Sequence, residues 1–366
     1  MGCCRLIYNL VVANYRSHGL KSLKHYRTLV EQEMVGRPFL GEVPYNARDE
    51  TIKEAMKNAK ANITNRKKGG WHVLGFKSRK DVSWVLPVRK QNLDETFLVY
   101  PRKLGGSNRG VEKLRYQNNL PSGGDLCDST LTYHRFLRQW TLCLVYSVEV
   151  RTSGSENQAN SGHVVALDPG NRTFATFWSP TKGIGAVGVF DVNRLLRLAA
   201  SLDRLVSQRQ KVAARRRNRL KQAEHRLRRR IKNLRNDFHK KFASWLTREY
   251  DCIVVPPFNA HCLSKKGSRK ISNKTVRGLM TWAHGSFRER LQSMAAARGK
   301  VIILQDEAFT SKTCSSCGWL NDSLKGKRVF ACKNCGMKVD RDVNGARGIF
   351  LRALLDGRLG LHALED

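Results

Sequence analysis

The spacing of apolar positions changes along this chain, and each change predicts a different kind of structure. Over residues 1–70 the apolar positions recur at helical spacing. Leu6, Leu10, Val11 and Tyr15 make one stripe, and Ile52, Ala55, Met56 and Ala59 make another within Asp49–Ile63. Arg66-Lys67-Lys68-Gly69-Gly70 ends that pattern. Over residues 71–152 the apolar residues gather in short runs, Trp84–Val88, Thr96–Tyr100 and Trp140–Val148, between Gly, Pro, Asn and Asp turns. Such runs read as strands, and together they predict a small β-barrel or sandwich.

Ser153–Gly162 reads as a polar linker, and beyond it strands and helices alternate. His163–Leu167 is a strand ending on Asp168-Pro169-Gly170, Arg172–Trp178 a second and Ala186–Val192 a third. Arg194–Tyr250 is a long helical region, read as two helices folded back on each other. A strand at Ile253–Val255, a helix over Lys274–Arg298, a strand at Val301–Leu304 and a helix over Val343–Leu355 complete the order. That order predicts an α/β layer. No apolar run approaches the roughly 18–20 residues that a membrane span needs, so no membrane partner is expected.

Charge narrows the class of partner. The chain carries 67 Lys and Arg against 30 Asp and Glu, a formal +37. Such an excess repels itself unless a polyanion is at hand. Nucleic acid is the first reading, because neutralised phosphates release condensed counterions; an anionic membrane surface is the second. The densest run is Gln208–Lys241, with Arg215, Arg216, Arg217, Arg219, Arg228, Arg229 and Arg230, and with Glu224 and Asp237 its only acids. A solvated face is the ordinary meaning of a charge run. Like charges three and four apart destabilise a helix, however, and phosphate lining both sides would relieve them. A nuclear localisation signal is a further reading of the same run.

Four of the ten cysteines stand in two knuckles, Cys314-x2-Cys317 and Cys332-x2-Cys335, fourteen residues apart. Two such turns supply the four thiolates of one tetrahedral, structural Zn²⁺; a redox pair of C-x-x-C motifs is the competing reading. Gly318 and Gly336 follow the knuckles directly, where the turn calls for positive φ. Cys3, Cys4, Cys127, Cys143, Cys252 and Cys262 lack a partner at this spacing and read as small buried or inert thiols.

Acids flank the knuckles. Asp168 ends an apolar strand and projects beyond the sheet's carboxyl edge, although an Asp that starts a turn does the same locally. Asp342 opens the last helix, where the plain reading is an N-cap; Asp340 is the competing acid. Together such acids suit two Mg²⁺ ions, which take oxygen ligands and can activate water and stabilise a leaving 3′ oxygen. A strand-end Asp, an acid from a neighbouring strand and a helix-start Asp are the supply of an RNase H-like nuclease core.

The runs Asp168-Pro-Gly-Asn-Arg-Thr-Phe, Thr310-Ser-Lys-Thr-Cys-Ser-Ser-Cys-Gly and Asp340-Arg-Asp-Val-Asn-Gly-Ala-Arg-Gly-Ile resemble the TnpB and Fanzor proteins. These are transposon-encoded relatives of type V CRISPR effectors, with a RuvC-like nuclease interrupted by a zinc ribbon. The resemblance is strong over residues 163–350 and weaker in Pro44–Ala59, Gly75–Asp81 and Trp140–Val148. It implies an α/β, RNase H-like (RuvC) core with a zinc-ribbon insertion, preceded by a helical recognition region and a small β-barrel. The implied boundaries are 1–70, 71–152, 153–313, 314–338 and 339–366. The front section would hold guide RNA and target DNA, with Lys77, Arg79 and Lys80 among its contacts.

Two departures qualify the resemblance. Where most TnpB proteins carry a second catalytic Glu, this chain has Pro256. Glu307, just past the Val301–Leu304 strand, resembles the relocated Glu of the Fanzor branch, with Asp306 as runner-up. The family also opens with a barrel strand before its first helix, whereas this chain begins within that helix at Arg5–Asn9. The resemblance thus implies an RNA-guided DNA endonuclease with Asp168, Glu307 and Asp342 on two Mg²⁺ and one structural Zn²⁺. Its partners would be a guide RNA encoded near the gene and double-stranded DNA, and its location nuclear in a eukaryote and cytoplasmic otherwise. The alternatives are a binding relict that no longer cuts and, further off, a transposase.

Overall fold

In the computed structural model the described residues are 2–70, 73–93, 99–100, 124–147, 162–257, 271–322, 324 and 328–359. The chain divides into two units, Met1–Val148 and Glu149–Asp366. The first begins with helices α1 (Gly2–His18), α2 (Leu23–Gly36) and α3 (Tyr45–Lys67). Ile7, Tyr8, Val11 and Val12 of α1 are buried with Tyr26, Val30, Ile52 and Ala55. Their three-and-four spacing is why this stretch winds into helices that share one core. Ser22 caps α2 by accepting the His25 N–H at 3.2 Å, as a short hydroxyl at an N-cap does.

Strands β1 (Ser83–Val88), β2 (Leu126–His134) and β3 (Gln139–Tyr146) follow as an antiparallel sheet in the order β1-β2-β3. Of the expected barrel or sandwich, the described residues form this open sheet, with no closed barrel among them, and residues 94–98 and 101–123 lie outside them. The expected strand at Thr96–Tyr100 lies mostly outside the described residues. The central strand β2 escaped the sequence reading because its register slips between Cys127 and Thr130, which hides the alternation.

The second unit is built on a five-stranded sheet with order β6-β5-β4-β7-β8. Its strands are β4 (Val164–Pro169), β5 (Ala175–Ser179), β6 (Gly183–Val187), β7 (Cys252–Val255) and β8 (Val301–Leu304). β4, β5 and β6 form an antiparallel meander, and β7 and β8 run parallel to β4. β6 is Gly183–Val187 rather than the expected Ala186–Val192, because Gly188 turns the chain at φ 70°. β4 is apolar from Val164 to Leu167 because both its faces are covered there. Val165 and Leu167 pack with Phe242, Leu246, Trp282 and Leu291, while Val164 and Ala166 pack with Ile349, Phe350 and Ala353. The two-residue period then puts Asp168 on the second of these faces.

Helices α4 (Asp191–Gln210) and α5 (Ala214–Glu249) fold back on each other as expected. The helix expected over Lys274–Arg298 is instead two, α6 (Asn273–Trp282) and α7 (His284–Ala297), broken at Ala283 with φ 51°. The break is costly for an alanine and is held by what it fixes. Trp282 Nε1 donates to the Asn171 carbonyl at 3.0 Å, and His284 Nε2 bonds the Gly170 carbonyl at 3.0 Å. The His284 ring also stacks on Phe174 at 4.6 Å. The turn after Asp168 is therefore pinned from outside.

Burial pushes the pKa of His239 and His284 down to about 4. An imidazole kept neutral in the fold protonates more readily when unfolded, so stability falls as pH drops from about 6.5 towards 4. Each ring is expected to cost about 2 kcal/mol between pH 7 and 5. The acid cluster described below acts in the opposite direction, so the readout is a difference. Urea melts should show His284→Gln losing about 2 kcal/mol less than the parent over that interval. Equal losses would contradict this.

Candidate functional site

The parallel strands β4, β7 and β8 bring their carboxyl ends to one edge. Ala166 pairs with Val254 and Val255 with Leu304, so continuing the register puts Asp168 level with Pro256 and Gln305. Gln305 N donates to the Val255 carbonyl at 3.2 Å and extends the pairing by one residue. Glu307 follows two residues later, half-buried in a turn closed by the Thr310 N–H and hydroxyl on the Glu307 carbonyl at 3.2 and 2.9 Å.

Helix α8 (Arg341–Leu355) supplies the third acid and packs across β4. Asp340 caps it, accepting the Asp342 N–H at 2.8 Å. This corrects the plain reading of Asp342 as the N-cap. With the cap supplied by Asp340, the Asp342 carboxylate sits in the first turn, where the helix dipole favours negative charge. Gly345 lies one turn on, and a Cβ there would run into Asp168 Oδ2. Only a glycine lets the helix come this close to the strand-end carboxylate.

The electrostatics show which acids influence one another. Asp168 keeps some surface as a residue, but its carboxyl is enclosed. Its pKa is raised well above the carboxylate range by burial first, then by Asp342, Glu307 and Asp340, with Arg341 opposing. Glu307 is pushed up to about 6 by burial and by Asp306. Asp342 is exposed as a residue, but its carboxyl is raised by partial burial first and then by Asp340, against Arg341, Arg328 and Arg172. Enclosure thus disfavours the charged form of Asp168. Three carboxylates raised together fit a hard divalent cation, which would supply the missing countercharge through oxygen ligands.

Asp306 is arranged differently. It is exposed, accepts the Ala308 N–H at 3.2 Å and faces Arg352 at 3.7 Å.

The four knuckle cysteines converge beside the same first turns of α8, where Asn344 meets the residues on either side of Cys314. Their Sγ atoms all lie within 4.8 Å of one another, the only such group of three or more candidate ligands among the described residues. Cys314 and Cys335 are 3.7 Å apart and Cys317 and Cys332 3.6 Å, far beyond a disulfide bond. A tetrahedron with 2.3 Å zinc–sulfur bonds has edges of about 3.8 Å, so the thiols fit zinc. Gly318 and Gly336 have φ of 76° and 74°, as the knuckle turns require. Strands β9 (Val329–Ala331) and β10 (Lys338–Asp340) form a hairpin, and β10 runs straight into α8. Cys3, Cys4, Cys127 and Cys252 are partly buried and Cys143 is exposed, and Cys262 lies outside the described residues.

On α5, Arg215, Arg216, Arg217, Arg219, Arg228 and Arg230 are exposed and Arg229 is half-buried. Glu224 is buried between Arg209 at 3.0 Å and Arg228 at 2.9 Å, which fastens α4 to α5. Lys77 is engaged by Glu54 at 2.6 Å and lies over the Tyr8 ring at 4.3 Å, whereas Arg79 and Lys80 are exposed. Trp282 and Phe287 are core residues, and Trp245 packs against that core, so none of the three is a free stacking platform.

The sequence reading missed one face of α8. Asn344, Gly348 and Arg352 stand four apart and all meet the Glu307 turn: Asn344 Nδ2 and Gly348 at Thr310, and Arg352 Nη1 at the Ala308 carbonyl, 2.6 Å away. Their i, i+4 spacing was legible. What they face was not.

Residues 284–349 match the family model described as "Cas12f1-like, TNB domain", and residues 145–265 match "Probable transposase". The chain is 31% identical over 326 residues to "Putative transposase A625R" of Paramecium bursaria Chlorella virus 1, covering 85% of this chain and 70% of that protein. It is 28% identical over 225 residues to "TnpB-like protein L79" of Acanthamoeba polyphaga mimivirus, covering 60% of this chain but only 42% of that protein. A "Putative RNA-guided DNA endonuclease" of Streptomyces pristinaespiralis is 26% identical over 249 residues, covering 68% of this chain and 58% of that protein. In fold, the chain is similar to Cas12f1 in the cryo-EM structure of its complex with sgRNA and target DNA. The TM-score is 0.51 at 13% identity, over 94% of this chain and 80% of that one. With both halves of the second unit matched and a relative aligned over most of its length, the chain belongs to the TnpB/Cas12f-like family.

Proposed function

We propose that this chain is an RNA-guided DNA endonuclease whose sheet and α8 form an RNase H-like, RuvC-type core. The observation that supports the reading is the strand-end Asp168 against which the start of α8 packs at Gly345, with Asp342 and Glu307 near enough to raise its pKa. Asp168, Glu307 and Asp342 would hold two Mg²⁺ ions, which would activate a water and stabilise the leaving 3′ oxygen of a phosphodiester. Within this frame the protein's own work is positional. β4 fixes Asp168, the Thr310 turn presents Glu307, and the cap by Asp340 frees Asp342. Cys314, Cys317, Cys332 and Cys335 would hold one Zn²⁺ that orders the ribbon.

The exposed arginines of α5, with Arg79 and Lys80 of the first unit, would contact phosphate, and binding is expected to weaken steeply with salt. Guide RNA encoded near the gene would read sequence by base pairing with one DNA strand, and the helices of the first unit would serve recognition. The position of Glu307 past β8, with Pro256 past β7, supports placement in the Fanzor branch and hence a nuclear location in a eukaryote.

The test is purification with co-expressed flanking transposon RNA, then cleavage of a plasmid library in Mg²⁺. Glu307→Gln is expected to lower cutting by about 10²-fold or more, the scale of a lost charge contact at a metal site, while Asp306→Asn leaves it near the parent rate. Full-rate cutting by Glu307→Gln would remove Glu307 from the site. A second reading has one observation in its favour. Pro256 stands level with Asp168 where the family's usual acid would be, so a chain that binds RNA and never cuts would be the inactive relict.

A further inference from the structure

We propose that Asn344 is a positioning residue that sets Glu307 against Asp342 and makes the carboxylate site depend on the zinc ribbon. The inference rests on the metal-binding reading of these acids given above. Asn344 is fully buried in the first turns of α8, between Asp342 and the glycine that meets Asp168. Its amide reaches three backbone groups outside its own helix. Oδ1 accepts the Ser315 N–H at 3.0 Å, and Nδ2 donates to the Thr313 carbonyl at 2.8 Å and the Thr310 carbonyl at 3.4 Å.

Those three groups belong to two different structures. Thr313 and Ser315 flank Cys314, the first knuckle cysteine, so two of the bonds hold the zinc knuckle. Thr310 closes the turn that presents Glu307, so the third bond holds that acid's loop. One side chain thus ties the knuckle, the Glu307 turn and the Asp342 helix to a single point.

The chemistry at 344 is restrictive. The site needs one acceptor and two donors on one planar group, aimed in opposite directions, and only a carboxamide of this length provides them. Aspartate would keep the bond to the Ser315 N–H but would turn an oxygen towards two carbonyls. Alanine would leave all three backbone groups unpaired in a dry site. Because the knuckle and the Glu307 turn share this anchor, ordering one lowers the entropy lost in ordering the other. By linkage, zinc in the ribbon and a divalent cation at the acids should strengthen each other.

The experiment measures Mn²⁺ binding by electron spin resonance on the zinc-loaded full chain, with bound zinc determined for each sample. The parent should bind Mn²⁺ and Asp168→Asn should not; if the parent itself fails to bind, the metal-site reading falls rather than this one. Asn344→Ala and Asn344→Asp should bind Mn²⁺ at least about tenfold more weakly while keeping their zinc and far-ultraviolet circular dichroism. Parent affinity in both variants would overturn the proposal. Should either variant fail to fold, Cys335→Ser in a chain that retains Asn344 provides an independent measurement. Removing zinc there should weaken Mn²⁺ binding by a similar factor, and unchanged Mn²⁺ affinity without zinc would overturn the coupling. A merely structural asparagine would move the melting temperature and leave Mn²⁺ affinity alone.

Discussion

Replacing Asp168 with Asn is expected to abolish cleavage while making the Mg²⁺-free protein more stable. The two effects have one cause. Asp168 is raised by its enclosure and by the nearby Asp342 and Glu307, so the folded chain binds that proton more tightly than the unfolded chain does. A raised acid contributes stability below its unfolded value, about 3.9, and that contribution is lost as pH rises through the folded value. At neutral pH the fold therefore carries a penalty that a neutral carboxamide of the same shape avoids. Zinc-loaded, Mg²⁺-free Asp168→Asn should melt above the parent at pH 7.5, by about 2–4 °C for each kcal/mol relieved in a unit of this size. The gap should close towards pH 4. Adding Mg²⁺ should raise the parent's melting point and leave the variant's unchanged, and cutting should fall by about 10³-fold or more. A variant that melts below the parent from pH 5 to 8, or cuts within tenfold of it, would contradict this account.

Loss of zinc is the second large effect. β9 and β10 are three residues each, and the ribbon's core is Cys314, Leu324, Phe330 and Cys332 with a few half-buried neighbours. So small a core cannot fold by apolar burial alone, whereas structural zinc supplies about 10–16 kcal/mol in finger peptides. Cys332→Ser should release the bound zinc and erase amide exchange protection over residues 313–322 and 328–339. Protection in α4, α5 and the five-stranded sheet should persist, since their core is separate. The parent should carry about one zinc per chain. A folded parent with almost no zinc, or a variant that keeps its protection, would count decisively against the ribbon as a metal site.

Much of the second unit was legible before any coordinate. The apolar run at Val164–Leu167 marked a strand covered on both faces, and the knuckle spacing marked a tetrahedral thiolate site. Both signals lie within a few residues of the groups they describe. The first unit was less legible. Its helices follow their apolar stripes, but the slipped register of β2 masked a strand, and closure into a barrel is not a local property.

The acid site divides along the same line. Sequence by itself determined that Asp168 ends a buried strand, that an acid opens the last helix and that four thiols gather in two knuckles. Those features follow from the two-residue and four-residue periods and from ligand spacing, which act over one or two turns of chain. Only the tertiary structure decided that Asp340 takes the helix cap, that Ala283 breaks a helix to pin the turn after Asp168, and that Asn344 joins knuckle to acid loop. The same holds for Glu307. Its approach to Asp168 depends on β7 and β8 lying parallel beside β4, a pairing of segments far apart in the chain whose order no local pattern records.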